Sequence, residues 1–131
     1  MAMFSKLVVT PWMSADAAFT TNKFSALADH SGLTANHALH ALDVDVNDVA
    51  QTITMPSGFV LQYGVFKNAG ATNAMYVVYT TLKADGTDSA VEARVDAGGF
   101  HVVSHVKSGT NIQVKCATGL TTSGSWAISG S

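Results

Sequence analysis

Apolar positions in this chain fall into short runs separated by turn signals, most regularly in its second half. Behind Pro56-Ser57-Gly58, the run Phe59-Val60-Leu61-Gln62-Tyr63-Gly64-Val65-Phe66 predicts a largely buried β-strand. Residues 75–82, MYVVYTTL, are β-branched and aromatic throughout and predict a second strand, followed by an Asp85-Gly86 turn. In residues 90–95, Val91, Ala93 and Val95 alternate with Glu92 and Arg94, the pattern of a strand with one wet face. Ala97-Gly98-Gly99 turns the chain. Residues 100–106 alternate again, which assigns Phe100, Val102 and Val106 to a buried face and His101 and His105 to the opposite one. Ile112, Val114 and Cys116 lie in step on a further strand, and Ser125-Trp126-Ala127-Ile128 closes the pattern after a polar turn region. About six strands with turns every eight to twelve residues predict a compact antiparallel β-sandwich or barrel.

The first 54 residues read differently. Lys6-Leu7-Val8-Val9-Thr10 is a β-branched run stopped by Pro11, a strand or an extended arm. Ser14-Ala15-Asp16 is placed to cap a short helix through Phe19, Lys23, Phe24 and Leu27, which Asp29-His30-Ser31-Gly32 would break. A second helical stripe, Ala35, Ala38, Leu39 and Leu42, runs through residues 33–42, with an irregular loop as its competitor. Val44, Val46 and Val49 alternate loosely with acidic residues, and Gln51-Thr52-Ile53-Thr54 resembles a strand. The expected fold class is therefore all-β: an antiparallel sandwich over residues 55–131, preceded by an N-terminal arm, residues 1–54, that contains short helices. Leu7, Val9, Trp12 and Phe19 are the arm residues expected to dock on neighbouring subunits. Trp12 and Met13 would serve equally well as cover for the domain's own core.

Composition sharpens this reading. Of the 131 residues, 47% are apolar and only 12% charged, about half the usual charged share. A weakly charged exterior is expected where neighbours cover much of the surface. The net charge is −2 and the seven basic residues are scattered, which argues against a nucleic-acid footprint. The single Cys116 excludes an intrachain disulfide and a multi-cysteine zinc site. No run approaches the roughly 18 apolar residues of a membrane span, and residues 1–6 do not resemble a secretory leader. A soluble protein made in a cytoplasm is expected.

Candidate chemistry is sparse. Residues 43–48, DVDVND, open like a calcium loop, but Asp48 and Thr54 occupy the places of the turn glycine and the bidentate glutamate. A solvated acidic connection is the simpler reading. His37 and His40 lie one helical turn apart if that segment is helical, and a trimer could gather them around an axis. No G-x-S-x-G turn or strand–Gly–helix phosphate cradle is present. No catalytic residue, metal or cofactor is expected, and the protein reads as non-enzymatic.

Three pieces carry a family resemblance. Pro56-Ser57-Gly58-Phe59-Val60-Leu61-Gln62-Tyr63-Gly64 resembles the P-x-G-(three apolar residues)-Q-W-G opening of a small domain at the C-terminus of many tail-fibre proteins of tailed bacteriophages, with Tyr63 in place of the usual Trp. Gly99-Phe100-His101-Val102 is similar to its G-F-x-V strand, and Trp126-Ala127-Ile128-Ser129-Gly130 to its closing strand, shifted by one residue. The family's F-P-x-x-F segment has no counterpart here. The resemblance implies a six-stranded, H-type-lectin-like sandwich that trimerises. It further implies a virion location, other virion proteins as partners, and a role in a tail fibre or spike that meets a host-surface glycan. Loops at residues 67–73 and 117–124 are the expected contacts with that surface. The short chain, with no coiled-coil or collagen-like shaft, also fits a capsid decoration protein. A free carbohydrate-binding lectin is a third reading.

Overall fold

The computed structural model describes residues 3–9, 26–33, 38–55 and 57–130, with side chains from residue 39 onward apart from His40. The chain divides into two compact units, residues 1–35 and 36–131. In the first, β1 (Met3–Val9) pairs antiparallel with β2 (Ala26–Leu33). Leu7 stands opposite Ala28 and Val9 opposite Ala26 in the register. Trp12 and Phe19 lie outside the described residues.

The second unit is all-β and antiparallel. Its strands are β3 (Ala38–Val46), β4 (Gln51–Ile53), β5 (Leu61–Asn68), β6 (Met75–Leu82), β7 (Asp88–Val95), β8 (Phe100–Val103), β9 (Ile112–Cys116) and β10 (Thr122–Gly130). They form two four-stranded sheets, ordered β3-β10-β5-β8 and β4-β9-β6-β7. Successive strands mostly alternate between the sheets, and the first strand of the unit pairs with the last. Eight strands connected in this way make the double-sheet jelly roll.

Two expectations need correction. In the described part of residues 33–42, where a helix is expected, the chain is strand: Leu33 ends β2 and from Ala38 it is β3. The helix expected to reach Leu27, and the break at 29–32, fall at their described end in strand β2, while residues 10–25 lie outside the described set. Residues 55–131 supply six strands, as expected, but the two sheets hold eight, because β3 and β4 come from the stretch that the sequence pattern groups with the arm. The reason is visible at residues 42–43. There β3 carries a bulge, with Leu42 and Asp43 together opposite Ser125, between the rungs Val44–Gly124 and Ala41–Trp126. Asp43 takes a positive φ of 51°, and its N–H donates to Ser125 Oγ at 3.0 Å. The bulge reverses the facing of the residues on either side.

The core lies between the sheets. Phe66 and Ile128 enter from one sheet and Met75, Val77, Ile112 and Val114 from the other, all fully or almost fully buried. The inward row of β9 ends at Cys116, whose buried thiol lies 3.5 Å from the Val46 carbonyl; burial first, and then the nearby Asp48 charge, raise its pKa. A buried thiol held in its neutral form is a packing residue.

Candidate interaction surfaces

The β5–β6 and β9–β10 connections meet at one end of the sandwich, and Asn68 ties them. Its side chain is 0% exposed. Nδ2 donates to the carbonyls of Asn73 at 2.8 Å and Val95 at 3.0 Å. Oδ1 accepts from the Gly70 N–H at 3.0 Å and the Thr122 hydroxyl at 2.8 Å. Its backbone N–H donates to Gly99 O and its carbonyl accepts from the Gly98 N–H. A buried amide satisfied on both sides specifies one geometry, because any rotation leaves a polar atom unpaired. Around it, Asn73 Nδ2 reaches Thr121 O and the Ala69 N–H reaches Ser123 O. The two loops expected to meet a receptor are thus brought together and cross-bonded into one surface.

Two side chains of the run at 43–48 accept hydrogen bonds from backbone N–H groups. Asn47 Oδ1 accepts the Val49 N–H at 2.9 Å within its own turn, and Asp48 accepts the Gly119 N–H at 2.8 Å, tying that turn to the β9–β10 connection. Among the described residues no group of three or more His, Cys, Asp or Glu converges. His30 and His40 lie in β2 and β3, and His37 lies outside the described residues.

At the opposite end, a cleft of about 380 Å³ opens between residues 55–61 and 105–111, with Met55, Val60, His105, Lys107 and Asn111 on its walls. Asn111 Oδ1 accepts the Met55 N–H across it at 3.1 Å. Lys107 is turned toward Asp88, 2.7 Å away.

The facing of β8 reverses the sequence expectation. His101 pairs with inward-pointing Phe66 and lies inside, whereas Phe100 pairs with Lys67 and is 62% exposed. Val103, not Val102, is the fully buried residue of the strand, at 1%. Val106 packs partly against the core from beyond the strand.

The two sheets differ on their outer faces. On β10, β5 and β8 the outward row carries Ala127, Val65 and Val102 on one rung and Ser125, Lys67 and Phe100 on the next. Lys67 is the only charged side chain across those three strands; Asp43 and Asp45 stand at the β3 margin. Tyr63 and Ser129, opposite each other on the same face, are buried. The other sheet carries charge on its outer face: Arg94, Tyr76 and Lys115 share one rung and Glu92, Val78 and Gln113 the next. There Lys115 lies 3.4 Å from Glu92, and Gln113 bonds Thr52.

No protein-family model, curated protein or solved structure matches the chain.

Proposed function

We propose that this protein is a structural component of a tailed-bacteriophage virion, part of a tail fibre or spike, working by assembly rather than by catalysis. The observation that carries this reading is the difference between the two outer sheet faces. One is laced with charge, as a solvated face is. The other presents Ala127, Val65, Val102 and 62%-exposed Phe100 with a single lysine. Covering such a face desolvates few charges, so its apolar area adds to association with little opposing penalty. The jelly roll supports the reading as an architecture that viral shell and lectin domains share, an argument from fold analogy. A homotrimer is the state that the family resemblance implies, and the Asn68-tied loop end is the surface offered to a host glycan.

Electron microscopy of virions made with and without this chain tests the proposal. Density lost from the tail supports it. Density lost from the head moves the protein to capsid decoration, and particles unchanged and free of the chain overturn a virion role. Glycan arrays on the isolated protein, with binding but no virion incorporation, would establish a free lectin.

A further inference from the structure

The four sheet edges are not alike. β4 has three residues and β8 four, and β3 is interrupted by its bulge. Short or bulged strands are how sheets blunt their edges. β7 is different: eight residues, DSAVEARV, free of Gly and Pro, lie in eight consecutive rungs against β6 with no register shift. It is the terminal strand of its sheet, with no further strand beyond it among the described residues. Its inward row ends in the buried Val95, but Ser89, Val91 and Ala93 are only half-buried, so the core stops short along most of this edge. A regular strand with an open backbone ladder and an unfinished apolar row is a template for one more strand.

The side chains of β7 select that strand. In an antiparallel pair formed by two identical strands, a two-fold axis passes through the register, and the axis must lie at a residue rather than between two, or inward rows would meet outward rows. Centring on Ala90 sets Asp88 against Glu92, and centring on Glu92 sets that residue against itself; like charges directly opposite are unfavourable. Centring on Ala93 opposes Glu92 and Arg94 but overlaps only the last part of the strand. Centring on Val91 pairs residues 88–94 in full. It sets Arg94 of each copy against Asp88 of the other, Glu92 against Ala90, and Val91 against Val91 on the inner side. Both charged groups retain bonding capacity. Arg94 uses Nε on Asp96 at 2.7 Å and has its other guanidinium donors largely free, and the Asp88 carboxylate takes one ammonium, that of Lys107.

We infer that β7 is a self-pairing edge, through which two copies join antiparallel about Val91 and merge their charged sheets into one eight-stranded sheet. This deepens the assembly reading, on which it rests, by naming a second copy of this chain as the partner of one edge. The test is sedimentation over a concentration series for the full chain, for Arg94→Asp, for Asp88→Arg, for an equimolar mixture of the two, and for the double exchange. Both substitutions are at exposed positions, and thermal melts check that each variant folds. Either single reversal is expected to weaken the two-fold association roughly tenfold or more, since it sets two like-charged pairs across the junction. The mixture restores association, because each acid-rich edge then meets an arginine-rich one, and the double exchange restores it within a single variant. Association that ignores both reversals, or singles that stay apart when mixed, overturns β7 pairing and leaves the assembly reading standing. A wild-type chain that remains monomeric at all concentrations overturns both.

Discussion

The Tyr79 hydroxyl and His101 Nε2 meet at 3.1 Å, joining β6 of one sheet to β8 of the other. Their rings lie 6.0 Å apart and tilted by 33°. Like the Asn68 side chain at the loop end, the contact is a polar bond between two layers held mainly by apolar packing, and both partners feel the burial. It raises the tyrosine pKa and lowers that of the histidine, since leaving water disfavours the charged form of each.

The lowered histidine pKa fixes a pH dependence. In the unfolded chain His101 takes up a proton near its ordinary value of 6.5; in the folded protein it does so only at lower pH. Below 6.5 the unfolded state therefore binds more protons, and stability falls as the pH drops toward the folded value; above 6.5 the contribution is complete. Thermal melts from pH 7.5 down to pH 5 should show a steeper fall in Tm for the wild type than for His101→Gln. Parallel curves would count against a half-buried neutral imidazole.

Asn68→Ala removes both ends of the amide that ties the loop end. It leaves the Asn73 and Val95 carbonyls, the Gly70 N–H and the Thr122 hydroxyl without that partner. Each buried polar group left unpaired costs about 1–3 kcal/mol, with solvent entering to relieve part of it, so a loss of about 3 kcal/mol is expected in urea unfolding. Amide exchange in residues 69–73 and 119–123 should quicken together.

Two phenylalanines should behave in opposite ways. Phe66 is fully buried and stacks near Trp126, ring centroids 6.3 Å apart; Phe66→Ala should cost about 3–5 kcal/mol. Phe100→Ala should change stability by no more than about 0.5 kcal/mol, as surface substitutions do. Denaturant titration of the pair checks this, and a large cost at Phe100 would mean that its side chain is covered.

Gly130→Ala should destabilise by about 2 kcal/mol, the scale of overpacking in a filled core. A methyl group there would run into the Val60 carbonyl and the Phe59 ring. Chemical denaturation measures the loss, and a neutral result would show that the β4–β5 connection can move aside.

The strands carried by dense β-branched runs were the legible ones. Residues 75–82 and 112–116 are strands at the bounds that their β-branched runs predict. The misreading of β3 has a specific cause. The bulge puts Leu39 and Ala41 on the inner side before it and Val44 and Val46 after it, so the period of two is broken once, and the Ala and Leu spacing that remains imitates a helical stripe. In β8 the run Phe-His-Val-Val offers apolar residues to both faces, and periodicity alone cannot say which is inside. Only the pairing with Phe66 turns His101 inward. Of the candidate surfaces, the sequence marked the loops at 67–73 and 117–124 one by one. That Asn68 binds them together depends on contacts 54 residues apart in the chain, which local patterns do not encode.

The adjacency of β3 and β10 has a topological consequence. Ala38 stands opposite Ser129, so whatever precedes the sandwich and whatever follows it leave from a single corner. A short Gly/Ser bridge between those positions would let the domain be circularly permuted, with new termini opened in the exposed Asp85-Gly86 hairpin. Cargo fused at the new ends would leave from the same end of the sandwich as that corner, but at the β6–β7 edge of the other sheet rather than beside β3.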